Sequence, residues 1–250
     1  MGTGVSIDVP GLSEKNIIDQ VFNRLHQIDA KFSTYKDSSE VSKYRRGELE
    51  DKDLSPELAA VIRACKHYEK LTDGYFSAWA GAPVSGLDTV RNEWFNPNGY
   101  VKGWAISEAG KLLKKNGYKT FCIGIGGDIL AASDGSKQWK VGIQDPQNRS
   151  KILNKLSINS GAVATSGNYL RGQHIINPKT GQPANQILSL TVVGPDIIKA
   201  DVLATAAFAM GATGLDFVDS RCDGYQAMLV DKRGKLQETR GFSYSQGRNR

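Results

Sequence analysis

Cysteine is scarce in this 250-residue chain: Cys65, Cys122 and Cys222, with no C-x-x-C pair among them. An odd, scattered set excludes a disulfide framework and a cysteine-built zinc site. Long apolar runs are missing too. No stretch approaches the ~20 apolar residues that a bilayer-crossing helix needs. The opening, Met-Gly-Thr-Gly-Val-Ser-Ile-Asp, has no basic start and no apolar core. No signal peptide is therefore expected, and the expected compartment is the cytoplasm. The chain also lacks G-x-x-x-x-G-K-[ST], H-E-x-x-H and G-x-S-x-G, which removes the P-loop, zinc-protease and nucleophile-elbow chemistries. Gly124-Ile-Gly126-Gly127 is no dinucleotide loop, because the third glycine is absent and a strand-like segment follows.

What is present is a globular composition, 40% hydrophobic and 23% charged, which excludes a disordered chain. The length allows a sizeable core without covalent staples. The net charge of +6 is concentrated at one end: six lysines and arginines against two carboxylates fall in the last twenty residues. Nucleic-acid readers carry a basic face on the folded body, so a solvated tail is the better reading. No repeat and no low-complexity linker interrupts the chain. One domain is expected over residues 1–250, with about 241–250 as a flexible basic tail.

Apolar spacing predicts a strand at Val5–Val9 and a helix through Ile17, Val21, Leu25, Ile28 and Phe32, capped by Ser13. A polar segment follows to about residue 54. Ser55-Pro56-Glu57 opens a second helix, which Asp73-Gly74 stops. Residues 77–99 read as loop, and a third helix is expected from Gly103 to Lys115. Strands are expected at Thr120–Ile125, Leu153–Ile158, Ala162–Thr165 and Ile187–Val193. Asp128–Ala132 and Gln138–Ile143 look like a hairpin. A fourth helix spans Pro195–Met210, and a hairpin around Lys232-Arg-Gly234 closes the chain. Helices and hairpins mixed without βαβ alternation favour an α+β fold.

Five stretches carry chemistry. In Lys199-Ala-Asp201-Val-Leu-Ala-Thr205, a carboxylate and a hydroxyl share one face of an otherwise apolar helix. A buried carboxylate must be neutralised, paired or metal-bound, and two hard oxygens suit Mg²⁺ or Ca²⁺. On spacing alone, an Asp that pairs with a lysine or caps a loop accounts for it better. Ser160-Gly-Ala-Val-Ala-Thr-Ser-Gly-Asn-Tyr169 offers small residues and hydroxyls, either for phosphate oxygens or for packing under another element. His174 precedes the turn Asn177-Pro-Lys-Thr180-Gly181 and can act as a general base, although a lone histidine is more often structural. Lys102, in Gly99-Tyr-Val-Lys102-Gly-Trp-Ala105, is expected at a helix start, where its charge adds to free N–H groups as an anion site. Gly126-Gly127-Asp128 could bring backbone against a flat ligand. His26 and His67 fall in the first two helices, with structural or surface roles.

Taken in order, these pieces resemble the ApbE family of FAD:protein FMN transferases. The matching segments are Met1-Gly-Thr3, Phe32-Ser-Thr-Tyr35, Asp73-Gly-Tyr-Phe76, Lys102-Gly-Trp-Ala105 and Gly126-Gly-Asp-Ile129. They continue with Gly161-Ala-Val-Ala-Thr-Ser-Gly167, His174 with Asn177-Pro178 and Thr180-Gly181, and Ala200-Asp201 with Ala204-Thr205. The resemblance implies a single α+β domain, sometimes compared to the T-fold. It implies Mg²⁺-dependent transfer of FMN from FAD, through a phosphoester, to a Thr or Ser hydroxyl of an acceptor protein, with release of AMP. The family's metal ligands fall on Asp201, Thr205 and the Gly99 carbonyl. Its FAD contacts fall on Met1, Tyr35, Tyr75, Phe76, Ser77, Asn96, Lys102 and Ile176, and its base falls on His174. Three features depart from the family pattern: Phe76-Ser77-Ala78 replaces Phe-Asp-Pro, Asn96 stands where many members have Asp, and the loop between them is short. FAD hydrolysis to FMN and AMP, or flavin binding without catalysis, are the alternative functions. A nucleic-acid role rests on the tail alone.

Overall fold

The computed structural model describes residues 2–81, 92–168 and 174–242. Its centre is a seven-stranded sheet in the order β1-β2-β3-β6-β9-β10-β11, antiparallel at every pairing. The strands are β1 (Val5–Asp8), β2 (Phe121–Ile125), β3 (Asp128–Ala132), β6 (Gly161–Gly167), β9 (Ile187–Gly194), β10 (Gln226–Asp231) and β11 (Leu236–Glu238). β4 (Trp139–Gln144) and β5 (Ile152–Ile158) form a separate hairpin, and β7 (Ile176–Asn177) and β8 (Gln182–Pro183) a short one. The helices are α1 (Lys15–Phe32), α2 (Glu40–Arg45), α3 (Pro56–Leu71), α4 (Asn98–Lys115), α5 (Ile197–Met210) and α6 (Gly214–Arg221). The α+β class and the mixed order of helices and antiparallel strands agree with the sequence reading.

Strand side chains alternate between two faces, and here both faces are covered. Ala162, Ala164, Leu190, Val192, Ala227 and Leu229 turn to the helical side and join the main core with α1, α3, α4 and α5. Val163, Val193 and Met228 turn the other way, onto Trp139, Val141, Ile143, Leu156 and Ile158 of the β4–β5 hairpin. The molecule is thus helix, sheet and hairpin in layers. α5 lies in the middle of the helical layer, and from Ala200 to Ala209 only Thr205 escapes full burial. Its alanines let it approach β6 and β9 on one side and α4 on the other. Within Ile197–Arg221 an 18-residue window has the mean hydropathy, 1.3, of a bilayer-crossing segment, but 72% of that window is buried in the fold, as a core helix would be.

Several expectations need correction. Asp128–Ala132 does not form a hairpin with the segment after it. β3 pairs with β2 and β6, whereas β4 leaves the sheet to pair with β5. The turn after β3 is tied to residues distant in sequence: the Ser133 N–H donates to Ser160 Oγ, and Thr120 Oγ1 donates to Asp134 Oδ1. Ser13 does not cap α1, whose N-cap is Glu14 without a side-chain bond. α2 lies inside the segment taken as polar. α4 begins at Asn98 rather than Gly103, so Lys102 stands inside the helix, not at its free N–H groups. The helix at Ser55-Pro56 is as expected, with Ser55 Oγ accepting the Leu58 N–H. Met1, residues 82–91 of the expected loop, Tyr169 and residues 243–250 of the basic tail lie outside the described residues.

Candidate functional site

Three elements converge on one buried ionic centre. α4 supplies Lys102 and Gly103, α5 supplies Asp201 and Thr205, and the first residue of β3 is Asp128. Lys102 Nζ lies 2.5 Å from Asp128 Oδ2 and 3.3 Å from Asp201 Oδ1. The other oxygen of Asp201, Oδ2, accepts the Gly103 backbone N–H at 2.8 Å. Asp128 Oδ1 accepts the Thr165 N–H at 3.0 Å. Asp128 and Asp201 are 0% and 2% exposed, while the Lys102 side chain keeps 22% of its surface. The lysine pairing weighed from spacing alone is therefore present, and Lys102 is the partner.

The approach of α4 to α5 depends on Gly103. A Cβ there would stand 3.0 Å from both Asp201 Cβ and the Ile197 carbonyl oxygen. Gly103→Ala is expected to lower stability by about 1–3 kcal/mol through overpacking, measured by urea unfolding. Unchanged stability would show that the two helices can separate at no cost. The Gly103 N–H has a further consequence. In a regular α-helix that donor belongs to the carbonyl four residues earlier, here Gly99. Sharing it with Asp201 weakens the claim on the Gly99 carbonyl, which is the backbone oxygen expected as a metal ligand. Gly99 also lies beside Thr205: a Cβ on it would stand 3.7 Å from Thr205 Oγ1 and 3.1 Å from the Phe76 ring.

Burial acts to lower the Lys102 pKa, but Asp128 and Asp201 outweigh it and hold the ammonium above its ordinary value. Burial pushes Asp201 up, Lys102 pulls it down, and the neighbouring Asp128 pushes it up again, so that on balance its carboxyl stands above the ordinary carboxylate range. Two carboxylates facing one ammonium leave an excess of negative charge. The oxygens on hand are the Asp201 carboxylate, the Thr205 hydroxyl and the Gly99 carbonyl, all hard donors. Among the described residues no group of three or more His, Cys, Asp or Glu could enclose a metal. That donor set does not suit a soft or tightly caged ion. It fits a divalent cation that takes one carboxylate and completes its shell from water and substrate oxygens, as Mg²⁺ does.

A second group of candidates surrounds this centre. Asp73 is the one non-glycine residue with positive φ (51°) among those described, and Gly74 follows at 76°. Asp73 is held by an ion pair with Arg221. This sharp turn leads into Tyr75 and Phe76. Phe76 is 2% exposed and gives its N–H to Thr72 Oγ1, so its ring packs beneath the site rather than facing a ligand. The half-buried Tyr75 ring has Lys179 Nζ 5.6 Å from its centroid. Ser77 Oγ accepts the Trp79 N–H, and Asn96 Oδ1 accepts the Asn98 N–H. Tyr35 is 90% exposed, just after Thr34, whose Oγ1 accepts from Asn98 Nδ2. Its ring is free to stack. Ile176 lies in β7, and the next residue, Asn177, donates to the Ala209 carbonyl at 3.0 Å. That bond ties the hairpin to α5. His174 is exposed, two residues before β7.

Of the candidates, the structure joins Phe76, Gly99, Lys102, Asp201 and Thr205 directly. Tyr35 and His174 stand on exposed segments outside the buried centre, and Met1 lies outside the described residues. Sequence reasoning assigned no role to Asp128, because Gly126-Gly127 drew attention to backbone. The glycines make the β2–β3 turn, both at positive φ, and it is the side chain after them that matters. Ser166 was likewise read only as a small hydroxyl; its Oγ stands 3.4 Å from Thr205 Oγ1. Otherwise the small-residue stretch is a strand packed under α5.

The family model described as the ApbE family matches residues 1–96 and 88–229. Among curated proteins, the FAD:protein FMN transferase of Vibrio cholerae is 26% identical, covering 84% of this chain and 79% of its own length. That of Escherichia coli strain K12 is 23% identical, covering 96% and 84%. Among solved structures, the ApbE protein of Thermotoga maritima superposes with a TM-score of 0.82 at 25% identity, over 96% of this chain and 95% of that one. The flavin transferase ApbE of Vibrio cholerae gives 0.79 at 21%, over 95% and 93%.

Proposed function

The chain belongs to the ApbE family, and from that premise we propose that it is an FAD:protein FMN transferase that moves FMN onto a Thr or Ser hydroxyl of an acceptor protein. The acceptor oxygen attacks the FMN phosphorus, the P–O bond to AMP breaks, AMP leaves, and the hydroxyl proton passes to the base. The observation that carries this reading is the buried Lys102–Asp128–Asp201 centre beside Thr205 and Gly99.

Asp201, Thr205 and Gly99 would hold Mg²⁺, which when bound offsets pyrophosphate charge and stabilises the departing phosphate. The remaining work falls to the chain's own side chains. Lys102 places a point charge against the phosphates, since its ammonium is held protonated and partly exposed. Tyr75 and the exposed ring of Tyr35 offer faces for flavin or adenine. Asn96 and Ser77 already accept backbone N–H bonds, so they shape the loop and present only their remaining valences. His174 is exposed and can take the proton from a hydroxyl carried in by another protein.

The test uses FAD, Mg²⁺ and a threonine-bearing acceptor domain, with AMP followed by chromatography. AMP release that needs the acceptor and stops on addition of EDTA supports the transferase. AMP and free FMN at the same rate without acceptor would replace it by FAD hydrolysis. Intact FAD throughout would leave a flavin-binding protein.

A further inference from the structure

Lys102 is shared between two carboxylates that are not equivalent. Asp201 has one oxygen committed: Oδ2 takes the Gly103 N–H inside the α4–α5 contact. Oδ1 is the oxygen left for a cation, and the Lys102 ammonium faces it at 3.3 Å. The same ammonium lies closer to Asp128 Oδ2, at 2.5 Å. Asp128 cannot follow it. Its strand is paired on both sides, its Oδ1 holds the Thr165 N–H, and it is 0% exposed. Its Oδ2 has no hydrogen bond of regular geometry, and its close partner is the Lys102 ammonium.

We infer that Asp128 is a positioning residue that draws Lys102 off Asp201 and so keeps Asp201 Oδ1 available to a divalent cation. This rests on the metal reading above. Without the Asp128 charge, the ammonium has only Asp201 to pair with, and a buried ion pair then blocks the one open carboxylate oxygen. The excess negative charge that attracts a dication is lost at the same time. Lys102 thus competes with the metal as well as serving the phosphates, and Asp128 sets the balance.

The experiment titrates Mn²⁺ alone against the full chain, without FAD, following free Mn²⁺ by electron paramagnetic resonance. Circular dichroism confirms folding. Asp128→Asn is expected to weaken Mn²⁺ binding by about tenfold or more, and Lys102→Met to strengthen it severalfold. The double variant keeps Asp201, lacks the competing ammonium and is expected to bind at least as well as the wild type. A double variant as weak as Asp128→Asn would show that Asp128 acts through the fold, and would overturn the inference. So would a Lys102→Met variant with unchanged or weakened affinity, even if Asp128→Asn fails to fold. A wild-type chain that binds no Mn²⁺, with or without FAD present, removes the metal reading and this inference with it.

Discussion

Asp201→Asn is expected to reduce Mg²⁺-dependent turnover of FAD by about 10³-fold while the protein stays folded. A bound divalent cation contributes several kcal/mol of transition-state charge stabilisation, and each ~1.4 kcal/mol is a factor of ten in rate. The amide is nearly the same size, and its oxygen can still accept the Gly103 N–H, so the α4–α5 contact survives. What it loses is the charge that pairs with Lys102 and that the proposed cation would take. Lys102 keeps Asp128 as a partner at 2.5 Å, so no buried ammonium is stranded, which is the costly outcome when a buried pair is broken. Steady-state AMP release at saturating Mg²⁺ measures the effect. Turnover within a few-fold of wild type would remove Asp201 from the metal site and return it to a purely structural ion pair.

His174→Ala is expected to slow transfer to the acceptor by about 10²–10⁴-fold, the usual contribution of a positioned base, and to leave FAD affinity unchanged. His174 is exposed on the segment before β7, whereas the ionic centre is buried between α4, α5 and β3. On the proposed function, His174 would serve the incoming hydroxyl and not the bound nucleotide. Fluorescence titration of FAD and a transfer assay on the same preparation separate the two roles. A loss of FAD affinity that parallels the loss of transfer would make His174 a binding residue, and transfer at the normal rate would remove it from the chemistry.

Much of the architecture was legible along the chain because the signals were local. Ser55-Pro56-Glu57 marks a helix start through capping chemistry alone, and Gly211, at φ 70°, ends α5 where the last apolar residue falls. The alternation in β6 places Ala162 and Ala164 toward the helical layer without any knowledge of what lies there. The pairing of β3 was not legible. Ser133-Asp-Gly-Ser136 has the composition of a hairpin turn, but Ser160 and Thr120, distant in sequence, capture its polar groups and send β4 to the opposite face. The start of α4 was misplaced because Asn96-Pro97-Asn98-Gly99 carries loop composition and yet opens a helix at Asn98.

The site was legible in part for the same reason. Asp201 and Thr205 are neighbours on one helix face, so their association can be read from spacing. Gly99 and Lys102 lie near each other in sequence, but that they meet Asp201 and Thr205 depends on how closely α4 and α5 pack, which Gly103 permits. Asp128 could not be found this way. It lies in a different element from either, and nothing in its own strand shows that a lysine from α4 will reach it. The buried carboxylate becomes informative only when its partner is seen.

The most direct measurement is the intact mass of a threonine-bearing acceptor domain after incubation with this protein, FAD and Mg²⁺. The account predicts an acceptor heavier by one FMN less one water, one AMP released for each modification, and a mass gain about 10³-fold slower when Asp201→Asn replaces the wild type. An acceptor of unchanged mass alongside complete conversion of FAD to free FMN and AMP would contradict it.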